Sequence, residues 1–196
     1  MWFTWLGVAT LLIGYLLGSF PTAYIVTKIK KGIDIRDIDV NNMGAGAVFR
    51  SVGFWEGVVV SVFDIGKGSL AIIIAQAVGV AFPWVLGAGF TCLLGHCYPV
   101  YIGFKGGQGV ATTIGVFLML TPVAMYIVLP IIGIALLVTR HLFSSIAISA
   151  PFLPLCIWLT GSSLVLILYS LAFIAFIVFR SRHRLGEVRV TRAPPR

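Results

Sequence analysis

The chain has 196 residues, of which 59% are hydrophobic and only 10% charged, with a mean hydropathy of +1.06. That composition excludes a soluble domain, because most of the surface must meet lipid rather than water. A formal charge of +8 would admit nucleic acid, but the basic residues are dispersed at the ends of apolar runs instead of being clustered with aromatic side chains, so no nucleic-acid partner is expected.

The apolar runs predict an all-α, polytopic membrane protein, a single integral domain over residues 1–196 with about seven transmembrane helices. The spans are expected at about 2–27, 54–78, 84–102, 109–121, 123–139, 143–160 and 163–179. A barrel is excluded because the runs are apolar on all faces and lack alternation. Trp2 to Leu17 has no preceding Lys or Arg and is followed by Lys28, Lys30 and Lys31, the wrong polarity for a cleaved signal peptide, so it is expected to remain as the first span. Lys105 and Arg140 should share a side, which requires an even number of crossings between them and places a reversal at Pro122.

With the N-terminus outside and the C-terminus cytoplasmic, the inner segments are about 28–53, 103–108, 140–142 and 180–196. Of the fourteen Lys and Arg residues, all but Lys67 then lie inside, which makes thirteen. Trp2, Trp5, Trp84 and Trp158 would mark the outer interface and Trp55 the inner one. The cysteines Cys92, Cys97 and Cys156 sit within apolar segments in no metal-ligand spacing, so neither a disulfide nor a metal site is expected.

In chain order, the first candidate for chemistry is the inner segment from Gly32 to Arg50, too long for a simple connection. Asn41, Asn42, Gly44 and Gly46 suit turns that aim backbone N–H groups at an anion, and Arg50 supplies a bidentate fork. The bland alternative is a solvated loop with Arg50 snorkelling to headgroups. Next, Asp64 and Lys67 stand at i,i+3 in the second span and can pair on one helix face. Each intramembrane charge costs roughly 2.5–3.5 kcal/mol on insertion scales, so the pair belongs in the protein interior, at a functional site or as a buried structural ion pair.

The strongest local signal runs from Gly95 and His96 through Pro99 to Gly103-Phe-Lys105-Gly106-Gly107-Gln108-Gly109 and Thr112. A lysine, near-continuous glycines and a helix start just beyond them suggest a phosphate cradle of N–H groups and helix dipole. The spacing is not that of a Walker A loop, and glycine is also common in tight membrane packing. His96 beside this loop is a candidate general base, a donor to an oxyanion, or a satisfied interhelical histidine. No H-x-x-x-x-D arrangement and no G-x-S-x-G elbow occurs.

Taken together, Gly18-Ser-Phe-Pro21, Gly32-Ile-Asp34-Ile-Arg36, Asn42 to Arg50, Asp64-Ile-Gly-Lys67-Gly and the block from His96 to Thr112 resemble, in order and spacing, the bacterial acyl-phosphate-dependent glycerol-3-phosphate acyltransferase family. The resemblance implies a seven-helix enzyme of the bacterial plasma membrane, its site facing the cytoplasm, acting in phospholipid synthesis. It would move a fatty acyl group from acyl phosphate to the 1-hydroxyl of glycerol 3-phosphate, giving lysophosphatidic acid, with no cofactor and with its two substrates and membrane lipids as partners. On this reading Arg50, Lys105, Gly106, Gly107, Gln108 and Gly109, with Asn42, Lys67 and Asp64, bind phosphate or substrate, and His96 orients or deprotonates the attacking hydroxyl.

The chain departs from the family pattern at several positions. Asp39-Val40-Asn41-Asn42 and Gly44-Ala45-Gly46-Ala47 replace a serine and an asparagine, and Gln108 stands where the family's Gly-Gly-Lys-Gly has a lysine. The C-terminal motif is reduced to Arg180-Ser-Arg-His-Arg-Leu-Gly186-Glu187. Arg182 and Arg184 are candidates to supply the charge missing at Gln108. A paralogue with an altered acceptor or lost activity, and a small transporter, are the alternative readings.

Overall fold

Leu, Ile, Val and Ala fill runs too long for strands, and in an apolar solvent a helix satisfies every backbone group internally. The computed structural model describes residues 2–38, 43–140 and 142–190, and among these there are helices and turns but no strand.

The first run divides into α1 (Trp2–Ser19) and α2 (Thr22–Lys31). Pro21 has no N–H to give, and at φ −90° and ψ 66° it leaves the helical region, so the rod breaks within the span. At the end of α2, Gly32 takes φ 71° and donates its N–H to the Lys28 carbonyl at 2.9 Å. The long inner segment that follows folds as two short helices, α3 (Ile35–Ile38) and α4 (Ala45–Ser51). They sit on a small apolar cluster that includes Ala23, Ile35, Met43, Val48 and Val60.

Next come α5 (Phe54–Ala77), α6 (Phe82–Cys97), a 3-10 turn at Val100–Ile102, α7 (Val110–Leu120) and α8 (Pro122–Thr139). Thr121, at φ −140° and ψ 63°, separates α7 from α8, so the stretch is not one long helix. The chain closes with α9 (Leu142–Ser149), α10 (Phe152–Leu159) and α11 (Leu164–Val190).

Among the described residues, five stretches are long and apolar enough to cross a membrane: Thr4–Lys31, Phe54–Ala77, Phe82–Ile102, Pro122–Thr139 and Leu164–Arg182. The other two expected spans fall short of that length. The fourth is the 11-residue α7, and the sixth is divided at Pro151 into α9 and α10.

α1 packs along α6, and α7 along α5. Their backbones nearly touch: a Cβ at Gly18 would collide with the Cys92 carbonyl, and one at Gly95 with the carbonyl of Tyr15. On the other side, Phe117 of α7 meets Tyr169 and Phe173 of α11, with ring centroids 4.6 to 5.7 Å apart. The outer faces expose Leu12, Phe63, Ile73, Leu137 and Leu168, as a lipid-facing surface should.

Candidate functional site

Two spans bring their charges to one place. Asp64 and Lys67, one turn apart on α5, form an ion pair at 2.8 Å with side chains only 3% and 8% exposed. The Lys67 ammonium also donates to the Phe20 carbonyl at 3.3 Å, a group that faces it because the α1–α2 rod is broken there. From α6, His96 Nδ1 lies 3.6 Å from the same Asp64 oxygen, and its side chain is 6% exposed. Carboxylate, ammonium and imidazole are thus mutually compensated in an apolar bundle, which is the condition under which buried charge persists.

The glycine loop is laid directly on His96. Gly107 N–H donates to the His96 carbonyl at 3.2 Å. A Cβ at Gly106 would collide with that same carbonyl, and one at Gly107 with His96 Nε2. The loop therefore lacks side chains at these two positions so that its backbone can approach the imidazole. One N–H that the sequence reading aimed at an anion is used instead to lock the loop to α6.

Arg180 of α11 donates to the Gly106 carbonyl at 3.4 Å, and its guanidinium lies 5.4 Å from the Tyr98 ring centre. Its Nε is buried without a partner. Arg182 stacks over Phe179 at 4.5 Å instead.

Above Asp64, Lys67 and His96 is a small recess, with Phe20, Thr22, Tyr24, Met43, Ile102 and Gly106 among its other walls. Thr22 is 5% exposed and Ser19 fully buried, and among the described residues both hydroxyls lack a hydrogen-bond partner. An unsatisfied buried hydroxyl costs about 1–3 kcal/mol, and of these two residues Thr22 is the one that lines the recess. At the rim, Arg36 Nε reaches both oxygens of Asp34 at 3.0 and 2.9 Å, and Nη1 donates to the Ile102 carbonyl at 3.4 Å. The same guanidinium lies 5.3 Å from the Tyr24 ring centre, so it ties two walls of the recess together. The Arg36 hydrogen bond holds the Asp34 carboxyl below its ordinary range.

The structure thus brings together His96, Asp64, Lys67, Gly106 and Gly107. Gly109 caps α7 at φ 86°, and Gln108 beside it is half-buried. Lys105 and Arg50 are exposed and stand outside the lining of the recess. Asn42 lies outside the described residues, as do Val40, Asn41 and His141. Sequence reasoning assigned no chemistry to Thr22, Ser19, Arg36 or Arg180. The available signal was a proline inside an otherwise unbroken apolar run, flanked by two hydroxyl residues.

Comparison with known proteins adds three findings. Residues 8–191 match the family described as glycerol-3-phosphate acyltransferase. Glycerol-3-phosphate acyltransferase 2 of Dehalococcoides mccartyi is 35% identical over 182 residues, 93% of this chain and 87% of that protein. Glycerol-3-phosphate acyltransferase 4 of the same organism is 44% identical over 148 residues, 76% of this chain and 78% of that protein. The crystal structure of PlsY, an integral membrane glycerol 3-phosphate acyltransferase, in its glycerol 3-phosphate form, superposes with a TM-score of 0.85 at 29% identity, covering 95% of this chain and 93% of that one. The lysophosphatidic acid form of PlsY superposes with a TM-score of 0.81 at 28% identity.

Proposed function

This chain belongs to the glycerol-3-phosphate acyltransferase family, and from that membership we propose that it transfers a fatty acyl group from acyl phosphate to the 1-hydroxyl of glycerol 3-phosphate, releasing lysophosphatidic acid and phosphate. The observation that carries the reading is the buried assembly of Asp64, Lys67 and His96 beside the glycine loop, inside an apolar bundle.

In the reaction the acceptor oxygen attacks the acyl carbon, a C–O bond forms, the bond from that carbon to the phosphate oxygen breaks, and phosphate leaves with the electron pair. Because acyl phosphate is already activated, positioning and charge stabilisation carry most of the catalysis. His96 takes the hydroxyl proton through Nε2, while Asp64 on the Nδ1 side orients the ring and stabilises the imidazolium. Lys67 faces the negative charge that grows on the departing phosphate, and Arg50, Lys105, Asn42 and the amides of Gly106, Gln108 and Gly109 receive the acceptor's phosphate as it enters from water, the Gly107 amide being held by His96.

The enzyme is one integral domain of a bacterial inner membrane, with seven crossings, the N-terminus outside and the site open to the cytoplasm. The distribution of Lys and Arg supports this orientation. A reporter fused after Arg196 should read cytoplasmic and one placed before Trp2 external. The activity is tested by supplying purified protein with acyl phosphate and labelled glycerol 3-phosphate and looking for lysophosphatidic acid. Absence of product beside an active family enzyme favours the altered paralogue, whose observation is Gln108 in place of a cation.

A further inference from the structure

The reaction proposed above has two phosphate-bearing substrates, whereas the sequence presents a single glycine loop to receive them. The break in the first span offers a second place. α2 begins at Thr22 after Pro21, with no side-chain cap on its first turn, and the opening N–H groups of a helix have no partners within it. The Thr22 N–H turns back to the Phe20 carbonyl at 3.1 Å, which leaves the amides of Ala23 and Tyr24 as the open end of the helix dipole. Both residues line the recess, together with Thr22 and Lys67. The Thr22 hydroxyl, on a residue of that lining, is buried and has no hydrogen-bond partner among the described residues.

We infer that this break is a second oxyanion subsite, in which Thr22 Oγ1, the first amides of α2 and Lys67 Nζ take the phosphate of the acyl donor. The inference rests on the acyltransferase reading for the identity of the ligand. The donor is assigned here, rather than the acceptor, because of what adjoins the recess. Phe20 forms part of its wall and is 49% exposed, and Leu16 and Leu12, at successive i,i−4 positions along α1, are 47% and 61% exposed. A phosphate held at Thr22 therefore has an apolar, lipid-facing stripe beside it on which a long acyl chain can lie. A small polar acceptor gains nothing from that neighbour.

The test uses the full-length protein in detergent and two readouts. In turnover, Thr22→Val, which keeps shape and removes only the hydroxyl, should raise KM for acyl phosphate about tenfold, the loss expected for one charge-assisted hydrogen bond. KM for glycerol 3-phosphate should stay put, and Thr22→Ser should restore the donor KM. In binding, the wild type should hold a long-chain alkyl phosphonate and Thr22→Val should hold it about tenfold more weakly. Thr22→Ala repeats both measurements if the valine variant fails to fold. The subsite is overturned if the wild type does not bind the phosphonate, if the valine and alanine variants bind it as well as the wild type, or if only the acceptor KM moves. Thr22-dependent phosphonate binding in a protein that makes no lysophosphatidic acid would uphold the subsite and refute the acyltransferase reading.

Discussion

The two sides of the bundle are held by different physics. Where α1, α2, α5 and α6 meet, the interior carries a carboxylate, an ammonium, an imidazole and two unpartnered hydroxyls. Where α7 meets α11, the interior is aromatic, with Phe117, Tyr169 and Phe173 in contact and the Tyr169 hydroxyl donating to the Leu86 carbonyl at 2.7 Å. Lipid is as apolar as the aromatic side, so burial there contributes little and shape does the holding. On the polar side each charge is tolerated only through its neighbours, so changes there are coupled. This contrast predicts that damage on the polar side spreads between residues while damage on the aromatic side stays local.

The largest effect should follow from Asp64→Ala, which leaves Lys67 buried without its counter-ion. Removing one partner of a buried pair costs about 3–5 kcal/mol, and denaturation in detergent should register a loss of that size together with loss of turnover. The double variant Asp64→Leu with Lys67→Met should regain most of the stability and none of the activity. If the single variant is as stable as the double, the polar side is not coupled and the comparison fails.

A smaller effect is expected from glycines in contrasting surroundings. Gly107→Ala drives a methyl group into His96 Nε2, whereas a Cβ at Gly133 on α8 meets nothing within 4 Å. Displacement of a reacting group by about an ångström can cost roughly a hundredfold in rate, so Gly107→Ala should lower kcat on that scale, and Gly133→Ala should leave kcat unchanged. Equal effects at the two positions would mean that the loop does not position His96. Milder again, Tyr169→Phe removes one hydrogen bond on the aromatic side, with a stability loss of about 1 kcal/mol and no change in either KM.

How far each side was legible follows from the range of its interactions. The helices were readable because Leu, Ile and Val fill them, and the Asp64–Lys67 pair because i,i+3 spacing is a property of one helix. The partner of His96 was not, since a search for H-x-x-x-x-D looks along the chain and Asp64 arrives from a different span. The breaks at Pro21 and Pro151 lay inside the expected spans at about 2–27 and 143–160, because a hydropathy window averages over one proline. Arg182 and Arg184 were credited with reach towards the glycine loop because they share its side of the membrane. Arg180 touches it and Arg182 lies over Phe179, the Arg184 side chain lies outside the described residues, and nothing in the spacing ranks the three before α11 is set against the loop.

The smallest expected effect lies at the rim, where Asp34 and Arg36 fasten α2 to the turn at Ile102. The Arg36 hydrogen bond depresses the Asp34 pKa below its ordinary value of 3.8. A carboxylate with a depressed folded-state pKa contributes stability that is fully present above its unfolded pKa and is lost as pH falls through the folded one. The side chains are 19% and 37% exposed, and a solvated pair is worth no more than about 1 kcal/mol. Asp34→Asn should therefore cost at most about that much at neutral pH, and the gap from wild type should hold down to about pH 4 and close below it. Because Arg36 also bears on Ile102 and Tyr24, the same variant should raise KM for a substrate entering past this rim more than it changes kcat. A stability gap that widens on acidification would reverse the sign worked out here and show that Asp34 is held by something other than Arg36.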